Sequence, residues 1–535
     1  MAKLLNFIKT KDKKSYLLKA TWFLAAASVV SNILGLIRDR IFVWRFGAGN
    51  DLDAYYAAFR LPDLIFNFLV LGALFSAFVP IFTDYITRKE EENAWHVANS
   101  LINIFTLVLI FVCGLFFLIS PKIIFLIAPG FINDPEKIKL TVNLTRLLLL
   151  TPLIFSLSNI FSGILNSFKK FFAYALAPVV YNLGIILGGL FLVNFWGIYG
   201  LGLGVILGSF FHFLVQMPSV LSLGYRFKFV IDFKHPGVRQ IFKLMVPTTI
   251  ALGISQINLT IYTILGSFLR IGSIAIVNLA NNIQTFPTVV FGISVATTVF
   301  PYLAENASLE KIKEFIHYFS WAIRQILFLI IPATAGMILL RAQIIRLILG
   351  ASKFTWSDTQ LAASVLGFFV LSLAPQAIIT VLVRSFYAFK NTKTPLFCSF
   401  VSALLNIILA YFLVNYFGYE NGAKGLALAF SLSSFLQAII LIIFLKRKIG
   451  ALDEFKIIIS ILKIIFITFL MSVIVYGTLY LVAPLVNMQK FWGIMVQTIC
   501  AIITGIVSYL FFAWLLHCEE MKSLNQFLKI KKQES

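Results

Sequence analysis

Apolar residues gather in runs of about 20 positions or more, without the period-two alternation of lipid-facing strands. The runs lie near 17–37, 53–86, 93–119, 138–166, 171–195, 200–223, 240–269, 273–303, 312–340, 357–388, 394–417, 422–445, 456–483 and 491–516. In lipid every backbone polar group needs an internal partner, which leaves helices or a closed barrel. Unalternating runs of this length predict an all-α polytopic membrane protein with about fourteen transmembrane helices.

One stretch breaks the apolar pattern. Residues 31–63, SNILGLIRDRIFVWRFGAGNDLDAYYAAFRLPD, place Arg38, Asp39, Arg40, Arg45, Asp51, Asp53, Arg60 and Asp63 between two apolar stretches. A charge at mid-bilayer costs roughly 2.5–3.5 kcal/mol on insertion scales, so such residues face water, pair with one another, or sit at the surface. Snorkelling to the interface suits Arg40 and Arg45. It suits Arg60 less well, because Arg60 lies one or two turns inside the next apolar run.

The chain also repeats. FLVNFWG begins at Phe191 and FLVNYFG at Phe412, an offset of 412 − 191 = 221. Phe168-Lys169 and Phe389-Lys390, Ile123-Ile124 and Ile344-Ile345, and Pro80 and Pro301 keep that offset. Six helices per unit is an even number, so both units keep one orientation, as in parallel-repeat transporters. The expected domains are therefore a six-helix bundle over 1–225, a second over 226–449, two extra helices over 450–517, and a basic cytoplasmic tail over 518–535.

Composition agrees with a membrane solvent. The chain has 535 residues, 60% hydrophobic and 12% charged, with mean hydropathy +0.93. The net charge of +22 would suggest nucleic acid in a soluble protein. Here the basic residues sit between runs. They cluster at Lys9 to Lys14, Arg88–Lys89, Lys169–Lys170, Arg226 to Arg239, Lys311 and Lys313, Lys390 and Lys393, Lys446 to Lys448, and Lys529 to Lys532. Every second connection is basic, which puts both termini in the cytoplasm by the positive-inside rule. No nucleic-acid partner is expected.

Catalytic and metal chemistry find no support. Cys113, Cys398, Cys500 and Cys518 form no CxxC pair, and the five histidines show no metal-ligand spacing. No serine or cysteine nucleophile lies beside a usable histidine. Gly200, Gly202 and Gly204 open a span with no strand before them, so they suit helix packing rather than a phosphate loop. No cofactor is expected.

The polar residues inside spans form the candidate site. Asn32, Arg38, Asp39, Asp53, Arg60, Asp63 and Asn67 open the first repeat. Ser255, Gln256, Asn258, Asn278, Asn281, Asn282 and Gln284 stand at the matching part of the second. Asn278, Asn281 and Asn282 fall at spacings of three and four, hence on one helix face. Pro287 follows and should loosen that helix. Two such faces meeting across a pseudo-two-fold axis would enclose a hydrophilic cavity, cationic on the side of Arg38 and Arg60 and suited to a phosphate-bearing substrate. Arg384 fits snorkelling, and Arg324 is left open.

GLIRD at 35–39, FGAGNDLDAYYAAFRLPDL at 46–64, GALFSAFVPIF at 72–82 and NLANNIQTFP at 278–287 resemble the lipid II flippase family MurJ (MviN), of the multidrug, oligosaccharidyl-lipid and polysaccharide exporter superfamily. The resemblance runs the length of the chain. It implies two six-helix bundles and export of a lipid-linked peptidoglycan precursor across the bacterial cytoplasmic membrane by alternating access. The last two spans would form a groove for the polyprenyl tail. Arg38, Asp39, Asp53, Arg60 and Pro62 match the family motif. Four positions usually charged in the family are neutral here: Asn32, Phe66-Asn67, Leu71, and Asn281-Asn282. Substrate binding would then rest on Arg38, Asp39, Asp53 and Arg60 with the amides of Asn32, Asn67, Asn278, Asn281 and Asn282. The expected partners are a lipid-linked pyrophosphate sugar and the phospholipid membrane, with the protein acting as a monomer.

The lost charges keep a second expectation open, an exporter of the same superfamily for another lipid-linked oligosaccharide or an amphipathic drug. A polytopic glycosyltransferase would need a large outward loop, and the loops are short. A scaffold that recruits partners would explain the basic loops but not Arg38, Arg60 and the asparagine face. For energy, Asp39, Asp53 and Asp63 are the candidates for coupling to a monovalent ion, and the membrane potential is the alternative.

Overall fold

The computed structural model describes residues 12–71, 77–350 and 353–521. The basic N-tail through Lys11, residues 72–76 of the GALFSAFVPIF segment, and the C-terminal lysines beyond 521 lie outside the described residues, as do the side chains of Lys13, Lys14, Leu71 and Ser255. The chain packs as two units, Met1–Ile274 and Ala275–Ser535.

In the first unit the main helices are α1 Asp12–Phe46, α2 Asn50–Ala58, α3 Arg60–Ile65, α4 Val79–Thr87, α5 Glu91–Ile127, α6 Pro135–Leu148, α7 Leu150–Ser167, α8 Phe171–Leu187, α9 Tyr199–Leu214 and α10 Pro236–Ser267. The second contains α11 Ser273–Pro287 (which starts two residues before the division), α12 Ser294–Ser308, α13 Ile312–Leu339, α14 Arg341–Ile348, α15 Trp356–Val370, α16 Leu373–Ala388, α17 Lys393–Ile449, α18 Glu454–Val482 and α19 Phe491–Leu515. Each of the fourteen apolar runs is largely helical among the described residues. Among the described residues, 10 helices are long and apolar enough to cross a membrane. One of them, α17, contains a break at Gly418 (φ 73, ψ −175), so it covers two of the expected spans. The outer faces show Phe111, Leu118, Phe195, Tyr416 and Phe469, as lipid-facing helices do. The protein is an all-helical multi-pass membrane protein.

The 221-residue repeat is written into the backbone. Left-handed residues pair at that offset: Lys89 (φ 62) with Glu310 (φ 56), Lys169 (φ 57) with Lys390 (φ 55), and Gly197 (φ 54) with Gly418 (φ 73). The first two pairs end helices in the same way. Each helix closes with a bond from the residue after the left-handed one back to the carbonyl five residues earlier: Glu90 to Tyr85, Lys170 to Leu165, Lys311 to Asn306, and Asn391 to Phe386. That satisfies the orphaned last carbonyls and fixes where the chain turns. A π-helical turn follows α3 over Phe66–Leu71 and another follows α11 over Thr288–Ile293. Pro287 precedes the second, where its missing N–H loosens the ladder.

Packing in the first unit depends on glycine where α8 meets α9. A Cβ on Gly184 would stand 2.3 Å from the Gly208 Cα, and one on Gly188 would stand 2.4 Å from the Gly204 Cα. Backbones this close exclude any side chain, which is how small residues join helices in lipid. Gly204 thus takes the helix-packing role expected of the glycine triplet. Beneath the helices a core of Phe78, Phe82, Phe105, Ile160 and Phe161 gathers Val238 and Ile241 from α10. By packing, α10 therefore belongs with the first unit, although the repeat counts it with the second half.

An extended strap, residues 225–235, joins α9 to α10. Two asparagines one turn apart on α5 hold it. Asn99 donates to the Arg226 carbonyl (3.1 Å) and accepts from the Lys228 amide (3.0 Å), while Asn103 donates to the carbonyls of Lys228 (2.9 Å) and Val230 (3.0 Å). The strap ends at His235, whose Nδ1 accepts from the Gly237 amide at 3.2 Å and caps α10.

Candidate functional site

Three buried polar nodes stand inside the first unit. The first is on α1. Arg38 donates through Nε (3.0 Å) and Nη2 (2.8 Å) to the Asp39 carboxylate, and through Nη1 to Asn182 Oδ1 at 3.4 Å. Asp39 is buried and Arg38 keeps 22% of its side chain exposed. Asn182 sits on α8 and spends its own amide on Ser31 and the Pro178 carbonyl. The guanidinium is thereby fixed between two helices, with its charge partly offset by its neighbour.

The second node ties α2 to α6. Lys137 Nζ lies 3.1 Å from Asp53 Oδ2, and both side chains are buried, 7% and 3% exposed. The same carboxylate oxygen accepts the Gly272 amide at 2.8 Å. Lys137 also stands 4.0 Å above the Phe131 ring. Gly272 has φ +89, and a Cβ there would meet the Ala48 carbonyl oxygen at 2.1 Å. Only glycine lets the backbone come close enough to Asp53 to make the bond. Gly130 adds a parallel tie, its amide donating to Ser267 Oγ at 2.9 Å.

The third node is Arg60, 5% exposed, whose Nε donates to Thr263 Oγ1 of α10 at 2.7 Å. This arginine does not snorkel. Asp63 follows on the next turn of α3.

The remaining candidate residues are placed as follows. Asn32 donates to the Ser28 carbonyl (2.8 Å) and Asn67 to the Asp63 carbonyl (2.8 Å), each one turn back on its own helix. In the second unit Asn278, Asn281 and Asn282 are all half-buried on α11. Asn281 Oδ1 accepts from Gln284 at 3.1 Å and its carbonyl accepts from Thr285 at 2.8 Å. Arg45 reaches the Leu190 carbonyl at 2.9 Å and lies 4.4 Å from the Trp44 ring.

Four participants escaped the sequence reading: Lys137, Asn182, Thr263 and Gly272. Lys137 precedes the apolar run that begins near 138, so it resembled a loop lysine. Its partner lies 84 positions away, and no local spacing announces it. Arg324, left open by the sequence, pairs with Glu519 (2.8 Å) and Glu520 (3.3 Å) just beyond α19.

Buried guanidiniums on membrane helices can meet an anionic group without giving up much hydration. Among the described residues, no carboxylate pair or nucleophile–base pair of a catalytic kind joins them. The family model described as lipid II flippase MurJ matches residues 42–496. A probable lipid II flippase MurJ of Buchnera aphidicola is 30% identical over 521 residues, covering 96% of this chain and 99% of its own. The lipid II flippase MurJ of Burkholderia cenocepacia is 26% identical over 439 residues, covering 81% and 84%. Among solved structures, a lipid II flippase MurJ in an inward closed conformation superposes with TM-score 0.76 at 28% identity, covering 92% of this chain and 98% of that one. An inward-facing multidrug transporter of the MATE family superposes with TM-score 0.66 at 16% identity, covering 79% and 96%, and shares the fold alone. With a family match over most of its length and a fold to agree, the chain belongs to the MurJ lipid II flippase family.

Proposed function

We propose that this protein carries lipid II, the lipid-linked peptidoglycan precursor, from the inner to the outer leaflet of the bacterial cytoplasmic membrane by alternating access. Full-length family membership carries the proposal. The arginines inside the first unit, Arg38 half-buried and Arg60 buried, support it from the chemistry, since a pyrophosphate crossing oil needs cationic partners. In this proposal Arg38 and Arg60 meet the pyrophosphate, and Asp39 and Asp53 hold cations in place. Asn32, Asn67, Asn278, Asn281 and Asn282 offer amides to the sugars. The basic connections put both termini in the cytoplasm. A monomer suffices, because the repeat supplies both halves within one chain.

Energy comes from the membrane potential or a monovalent ion acting through the buried carboxylates. Expressing the protein in a strain depleted of its own flippase tests the assignment. Growth and outward display of the precursor are expected to return. Restored expression in the membrane without restored display would overturn the assignment to lipid II and favour export of a different lipid-linked sugar or an amphipathic drug.

A further inference from the structure

A cavity of about 580 Å³ in the first unit lies outside the three polar nodes, between α5, α6–α7 and α9. That volume is in the range of sites for sizeable ligands. Its body is apolar, with Ile110, Cys113, Leu153 and Leu203 among its walls, and it opens outward. Its rim is polar. Asn143 donates to the Tyr199 hydroxyl at 3.3 Å. Beside them Arg146 donates through Nε to the Phe117 carbonyl (3.2 Å) and Ser120 Oγ (3.0 Å), with its guanidinium 5.0 Å from the Phe117 ring.

Arg146 is a cation that the chain holds in place without neutralising. Its Nε is spent on α5, which orients the fork, and no carboxylate pairs with it among the described residues. Arg146 lines the cavity, and neither Nη group makes a hydrogen bond among the described residues. Tyr199 begins α9 two residues after the left-handed Gly197. The rim therefore lies where that helix meets the membrane surface, at the end opposite the Arg88–Lys89 and Lys169–Lys170 turns. At that depth the abundant anion is a lipid phosphate, and the apolar body below matches an acyl chain. A guanidinium with two free donors suits a phosphodiester in both charge and shape.

We propose that this cleft seats one anionic phospholipid of the adjoining leaflet, its phosphate on Arg146 and one acyl chain in the cavity. The lipid fills a gap between α5, α6–α7 and α9 that side chains leave open. Gly114 confirms the room: a Cβ there meets nothing within 4 Å. Gly114→Leu should therefore fill the cavity without strain.

Purified protein, exchanged into detergent with phosphatidylglycerol or phosphatidylcholine of the same chains, tests the site by native mass spectrometry. Wild type is expected to retain one phosphatidylglycerol with about tenfold preference over phosphatidylcholine, the scale of one charge-assisted contact. Arg146→Gln should abolish the preference, Arg146→Lys should keep part of it, and Gly114→Leu should reduce retention of both lipids. Equal retention of the two lipids by wild type overturns the preference for a net anionic headgroup, since both carry a phosphodiester, and an unchanged preference in Arg146→Gln overturns the role of Arg146. Full retention by Gly114→Leu overturns the acyl-chain seat.

Discussion

Asp53→Ala removes the carboxylate that Lys137 and the Gly272 amide share. Lys137 Nζ is 3.1 Å from it and the amide 2.8 Å, and neither ionic side chain is more than 7% exposed, so solvent screens the pair little. Removing one partner of a buried pair costs about 3–5 kcal/mol, because the surviving charge loses its compensation. The abandoned Gly272 N–H adds about 1–3 kcal/mol if it stays dry. The Phe131 ring keeps a hold on Lys137, about 0.5–2 kcal/mol for a cation over an aromatic face. The net expectation is about 3–5 kcal/mol, a hundredfold or more in the folded-to-unfolded ratio. Lys137→Met should cost a similar amount. Asp53→Ala with Lys137→Met removes both charges together and should cost clearly less than the two single changes summed. Reversible unfolding of the purified protein in mixed micelles reads all of these variants. A coupling energy of at least about 2 kcal/mol is expected, and additivity within about 0.5 kcal/mol would refute the pair as a stabilising unit.

Other consequences are open to direct measurement. Burial, and then the nearby His96, lower the pKa of His235 from its ordinary 6.5, and its Nδ1 must stay unprotonated to accept from Gly237. The folded state therefore binds fewer protons than the unfolded, and this part of its stability is lost as pH falls from about 6.5 toward the lowered value. Hydrogen exchange in residues 225–237 should quicken at pH 5.5 relative to 7.5, and His235→Asn should flatten that difference. Gly184→Leu drives a side chain into the Gly208 backbone. It is expected to cost at least about 1–3 kcal/mol, seen as lost yield and earlier thermal unfolding, whereas Gly114→Leu on an open face should not. Arg324→Ala removes the guanidinium that lies 3.3 Å from the buried Glu520 carboxylate. Limited proteolysis should then cut sooner after α19 while α18 and the rest of α19 stay protected by the membrane.

The helices were legible because lipid imposes one pattern on every span. The repeat was legible for a related reason. Lys169 and Lys390, or Gly197 and Gly418, end or break helices, and such positions tolerate few substitutions of geometry, so their spacing survives where apolar residues interchange freely. The presence of charge at Arg38, Asp39, Asp53 and Arg60 was legible too. Their partners were not, because Lys137, Asn182, Thr263 and Gly272 come from helices and turns far along the chain. Direction was equally hidden. Asn32 and Asn67 look like cavity donors in sequence, but each gives its amide to the carbonyl four residues back, a local option open to any asparagine in a helix. Arg324 resembled an isolated intramembrane cation until the segment beyond α19 supplied Glu519 and Glu520.

The central claim is that the guanidiniums of Arg38 and Arg60 escort a pyrophosphate through the membrane. It is tested most directly by reconstituting the protein in vesicles with lipid II and following its movement between leaflets. Wild type should move substrate. Arg38→Gln with Arg60→Gln should slow transfer at least tenfold while the protein stays folded, and Arg60→Lys should keep part of the rate because it keeps the charge. A folded double variant that moves lipid II as fast as wild type would contradict the account.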